Sequence, residues 1–144
     1  MNIPSPTTLA SIFSGVTRPM LGFPFEVDRA EPTPDLYWRS GVMRIGGATP
    51  FSLAISSDEA GCGALASSIF GERATLELID DALRELVNVT AGALKWRLRI
   101  DEQALVVPRV AADGKPPLGP SADTVALVLR GRAGVRIALS ISWA

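Results

Sequence analysis

The residues whose types and spacing could do chemistry together are Glu85 and Asn88, in the stretch DDALRELVNVTAG (residues 80–92). The other familiar routes close early. The chain contains no His, which excludes a Ser-His-Asp or Cys-His nucleophile pair and a His-containing metal site. Its one cysteine, Cys62, forms neither an intrachain disulfide nor a Cys cluster; in the small, apolar run AGCGALASSIF it reads as a buried structural thiol. Neither G-x-x-x-x-G-K-[ST] nor G-x-G-x-x-G occurs, so both common phosphate cradles are missing. A carboxamide is not a useful general base at neutral pH, but it donates and accepts hydrogen bonds together. That suits holding a water in line with a phosphorus atom, as a Gln does in some phosphoryl-transfer sites. A carboxylate one turn away can pair with a cation on a partner and set the register.

The element that must position this pair is a helix from Thr75 or Leu76 to about Trp96. At about 100° per residue, Asp81, Glu85, Asn88, Gly92, Lys95 and Arg99 form one polar stripe. Ile79, Leu83, Leu86, Thr90 and Leu94 form the opposite, core-facing side. Glu85 and Asn88 then project outward together beside Gly92. A helix-interior Gly costs roughly 1 kcal/mol relative to Ala, and clearance for an approaching partner is one reason to keep it. Val89 and Trp96 border the stripe, and an apolar border around a polar pair is a docking surface in outline. Glu and Asn at this spacing are also common on ordinary solvated helix faces, so the pair alone carries little.

The surrounding elements follow from local signals. Ser5-Pro6 opens a helix bearing Leu9, Ile12, Phe13 and Val16 on one stripe, with Pro19 expected to end or kink it near Thr17. GFPFEVDRAEPTPDL predicts an irregular connection with one short strand. YWRSGVMRI and FSLAIS flank GGATP as a hairpin, and Phe51, Leu53 and Ile55 alternate with Ser52, Ala54 and Ser56, predicting one buried face. SSDE predicts a capping box with Ser56 as cap and Glu59 reaching back, opening a helix that stops at Gly71. After the long helix come ALVVPRV, whose Pro108 suggests an edge or bulge, a loop ADGKPPLGPSAD, and the hairpin TVALVLRGRAGVRIALSISW. The order is helix, two strands, two helices, three strands. Without strand–helix–strand alternation, this predicts an α+β domain, helices packed on a largely antiparallel sheet.

Composition bounds the rest. The chain has 144 residues, 47% hydrophobic and 20% charged, which suits a single domain over residues 1–144. Its formal charge of −1, from 14 basic and 15 acidic residues, shows no nucleic-acid surface. No signal peptide is evident at the N-terminus and no apolar run approaches the roughly 18 residues of a membrane span. The expectation is a cytoplasmic protein with no membrane or nucleic-acid partner.

With these elements in place, DDALRELVNVTAGALKWRL (residues 80–98) resembles the signature helix of the CheX/CheC/FliY chemotaxis phosphatases, in its CheX-like branch. An acidic residue precedes E-x-x-N, and a small residue, Gly and a basic stretch follow, as in Glu85, Asn88, Ala91, Gly92 and Lys95. GGATPFSLAISSDEAGCGALASSIFG resembles the family's strand, capped helix and its ending, and LVVPRV with the last hairpin resembles its Pro-containing strand and C-terminal hairpin. The resemblance covers about residues 40–143. It implies the CheC/CheX-like two-layer fold and removal of the aspartyl phosphate of a CheY-like receiver. Carried over, Asn88 orients the attacking water, Glu85 contacts the receiver's active-site lysine, and Asp81, Gly92 and Lys95 meet the partner. The chain itself would bind no cofactor, since the Mg2+ belongs to the receiver. A homodimer is also implied, with the strong C-terminal strands offering an edge to bury. The motif occurs once, because the only other Asn is Asn2. Pro19 departs from the family's longer, uninterrupted first helix, and Val89, Thr90 and Trp96 differ from the residues usual around the motif. The alternative in another class is a non-catalytic module that binds a receiver or other signalling partner. A self-contained small-molecule hydrolase lacks the residues it would need.

Overall fold

The structure, a computed structural model, describes residues 4–47, 50–98, 107–121 and 123–143. Helix α1 spans Pro6–Leu21, strand β1 Glu26–Asp28, β2 Arg39–Ile45, β3 Phe51–Ser57, helix α2 Glu59–Phe70, helix α3 Leu76–Arg97, and strands β4, β5 and β6 Arg109–Ala111, Thr124–Arg130 and Arg136–Ser142. A short 3-10 turn, Pro34–Tyr37, precedes β2. The six strands form one sheet in the order β1-β5-β6-β3-β2-β4, and every neighbouring pair is antiparallel. This is the α+β architecture expected from the order of elements.

One face of the sheet carries the main core. Leu9 and Phe13 of α1 and Leu86, Val87 and Leu94 of α3 meet Phe51, Leu53 and Ile55 of β3 and Ile137, Leu139 and Ile141 of β6. Fully burying such side chains stabilises by roughly 1.5–3 kcal/mol each before entropy is counted. The other face is covered locally. Leu36 and Tyr37 from the 3-10 turn pack on Val128 and Ala138. Strand β3 is therefore buried on both sides, against the expectation of one buried face: Ala54 and Ser56 are as inaccessible as Phe51. Ser56 tolerates this because its hydroxyl lies 2.7 Å from that of Ser40 on β2.

Two local expectations are corrected. Helix α1 continues through Pro19 to Leu21 and ends at Gly22 in a left-handed conformation. The carbonyl four residues before Pro19 belongs to Gly15, and both residues are exposed, so water can take the orphaned acceptor. At α2 the cap is Asp58, whose Oδ1 accepts from the Gly61 amide at 2.7 Å; Ser56 stays in β3. Of the C-terminal strands, part of β5 offers an edge among the described residues. β6 is internal, and β1 covers Val128–Arg130 of β5, leaving only Thr124–Leu127 without a strand on that side among the described residues. For the stretch ALVVPRV, residues 104–106 lie outside the described residues, and the strand begins just after Pro108.

Candidate functional site

The site is built on α3, and the reasons α3 sits where it does are local and few. Thr75 caps it, its Oγ1 accepting from the Leu78 amide at 3.2 Å. Arg39 of β2 donates from Nε to Asp80 Oδ1 at 2.7 Å, pinning the first turns to the sheet. That hydrogen bond also raises the Arg39 pKa. Ile79, Leu83, Leu86, Thr90 and Leu94 are all buried, as their spacing predicts, and Val87 and Ala91 join them. Thr90 is a polar residue on this face, and its hydroxyl donates to the Leu86 carbonyl at 2.7 Å.

With that face committed, Glu85 and Asn88 are exposed side by side on the opposite one. Neither side chain has a hydrogen-bond or ion-pair partner among the described residues. Asp81 is exposed on the same face but is engaged, its Oδ1 2.9 Å from Arg84 Nη1. Gly92 is exposed, and a methyl group built on it would meet nothing within 4 Å. Lys95 is half-buried, and the outward position one turn after Gly92 belongs instead to Trp96, which is 84% exposed. Arg99 lies outside the described residues.

An open groove of about 610 Å3 runs along this face. Asp81, Arg84, Glu85 and Asn88 line one wall, and Met20 of α1, Ile69 and Phe70 of α2, and Val107 and Pro108 line the rest. Sequence reading missed this apolar wall because its parts come from three separated segments. The one signal available was Phe70, a large apolar residue placed directly before the helix-ending Gly71. Chemically, the arrangement offers a carboxylate and a carboxamide, unpaired among the described residues, at an open surface. Among the described residues no three of Asp, Glu and Cys cluster as a metal site. Such a surface has the groups to hydrogen-bond to another molecule. Among the described residues no helix is long and apolar enough to cross a membrane.

Helices on one face of a six-stranded antiparallel sheet, with the long α3 turned outward, define the fold of CheX and CheC-like chemotaxis proteins. A CheX from Vibrio vulnificus is similar over 100% of both chains, with a TM-score of 0.78 and 19% identity. A CheC-like superfamily protein from Shewanella sp. PV-4 is similar over 100% of this chain and 99% of its own, at TM-score 0.74 and 18% identity. The CheX-CheY-BeF3-Mg2+ complex from Borrelia burgdorferi is similar over 93% and 94%, at TM-score 0.72 and 18% identity. The middle domain of FliM from H. pylori is a more distant match, at TM-score 0.53 and 10% identity. No protein-family model matches the chain, and no curated protein matches it in sequence.

Proposed function

We propose that this protein is a CheX-like phosphatase that removes the aspartyl phosphate of a CheY-like receiver. One observation carries the reading: an E-x-x-N pair, exposed and without a partner among the described residues, stands at the outer face of α3 in a fold whose Borrelia burgdorferi neighbour was crystallised with CheY, BeF3 and Mg2+. In the proposed complex the Asn88 carboxamide enters the receiver's active site and holds a water against the phosphorus. The water oxygen attacks, the bond between phosphorus and the aspartyl oxygen breaks, and inorganic phosphate and a free carboxylate result. Glu85 pairs with the receiver's lysine and fixes the register. The receiver's Mg2+ supplies charge neutralisation at the phosphoryl oxygens. This chain contributes positioning, where a misplacement of about 1 Å costs roughly 10²-fold. It has no proton to move and needs none of the residue types it lacks.

The test is phosphate loss from receivers charged with acetyl phosphate. Asn88→Ala is expected to abolish the stimulated loss while leaving the melting temperature unchanged, because the residue is exposed and has no partner among the described residues. Equal turnover by this variant would sink the mechanism. Binding of receivers without accelerated loss by the unmodified protein would make it an adaptor instead. A homodimer belongs to the same reading, and the free edge Thr124–Leu127 of β5 is where a second sheet could add; sedimentation equilibrium decides it.

A further inference from the structure

We propose that Trp96 is the anchor by which this protein selects its receiver. The inference rests on the phosphatase reading and adds a specificity residue to it. Trp96 is 84% exposed, more than any other large apolar side chain among the described residues. It shares the outward stripe with Glu85 and Asn88, and Gly92 lies between. Asn88 and Trp96 are eight residues apart, roughly 12 Å along a helix axis. An ordinary interface buries about 800 Å2 per partner, a disc of roughly 16 Å radius. A receiver centred on Asn88 therefore covers Trp96 as well.

The path between the two is clear. A methyl group on Gly92 would meet nothing within 4 Å, so a partner can lie flat on the helix there. Lys95 and Arg97 flank Trp96 in the last turn of α3. That basic end faces an acidic partner surface, which suits the carboxylate-rich surroundings of an aspartyl phosphate and its Mg2+. The complementary feature on the receiver is an apolar depression rimmed by carboxylates, about 12 Å from the phosphorylated residue. Trp is enriched among residues that dominate binding energy, because it buries much area at little entropic cost.

The experiment compares Trp96→Ala and Trp96→Phe with the unmodified chain. Turnover is followed on CheY-like receivers from the same organism charged with acetyl phosphate, and binding on their beryllofluoride–Mg2+ forms. Trp96→Ala is expected to raise KM and Kd about 30-fold or more, with kcat within roughly threefold. Trp96→Phe is expected to recover most of the loss. An unchanged KM in Trp96→Ala, alongside an inactive Asn88→Ala, overturns the anchor and leaves the phosphatase reading standing. If the unmodified chain neither binds nor dephosphorylates any receiver, both fall. If Trp96→Ala instead dissociates an oligomer with receiver binding unchanged, Trp96 covers a second copy of this chain and the proposal is wrong.

Discussion

A methyl group placed on Gly41 would stand 2.5 Å from the carbonyl oxygen of Leu83. Helix α3 therefore rests on strand β2 at backbone contact, and only glycine permits that depth. Gly41→Ala must push α3 outward or bend β2. Overpacking of this kind costs typically about 1–3 kcal/mol. Urea denaturation is expected to show a lower midpoint at unchanged slope. The outward-facing side chains shift with the helix, so receiver turnover per folded molecule is expected to fall too.

Gly92 is the opposite case on the same helix. Nothing in this chain crowds it, and Ala is the better helix former. Gly92→Ala is expected to stabilise the fold by about 0.4–1 kcal/mol. If a partner's backbone approaches there, the same methyl group lowers receiver turnover by about tenfold or more. A higher melting temperature with undiminished turnover would show that the gap serves no partner.

Two ion pairs on α3 separate stability from recognition. Arg39 and Asp80 are about 20% exposed and join β2 to α3. Asp80→Ala leaves a half-desolvated guanidinium and is expected to cost about 1–3 kcal/mol. Asp81 and Arg84 are 50% and 44% exposed, so Asp81→Ala is expected to change stability by less than about 1 kcal/mol. Any loss of receiver affinity in Asp81→Ala, read by calorimetry, then reports on contact and not on folding.

The buried thiol of Cys62 gives a signature in pH. Burial first, and the Asp58 carboxylate next, push it from 9.0 up to about 12. The unfolded chain gives up that proton near its ordinary value, so the contribution to stability is whole below about pH 9 and is lost as pH rises toward 12. Tyr37, raised by burial against an opposing hydrogen bond with Ser140, acts in the same direction. Denaturation midpoints are expected to fall through this range. At pH 8 a disulfide reagent is expected to label the protein only as fast as it unfolds; immediate labelling of the native chain would contradict the burial.

How far the molecule was legible depended on whether the deciding partner was local. Helix α3 was readable almost to the residue, because a Thr cap, a long run and a strict apolar spacing are all carried by the segment itself. The antiparallel sheet followed from element order. The failures share a cause. Pro19 was expected to end or kink α1 near Thr17, but whether a helix runs on through Pro depends on which side meets water. Ser56 was a plausible cap until Ser40, from another strand, claimed it and Asp58 took the role. Lys95 was placed on the polar stripe with Trp96 at its border; the structure leaves Lys95 half-buried and Trp96 the more exposed of the two, a difference that a wheel drawn at fixed pitch cannot resolve. The apolar wall of Met20 and Phe70 arises only when α1 and α2 are folded against α3. The roles of Glu85 and Asn88 came from resemblance, since their spacing alone fits any wet helix.

Every side chain proposed to meet the receiver through α3 belongs to positions that contribute nothing to this protein's own core. The inward positions hold the helix on the sheet, and the outward ones add little to it beyond the exposed Asp81–Arg84 pair. On the proposed reading, partner choice can therefore drift, or be engineered, at Gly92 and Trp96 without first finding compensating changes inside. If the proposed function holds, a lineage duplicating this chain could redirect one copy to a new receiver by surface substitution alone, leaving Glu85 and Asn88 unchanged.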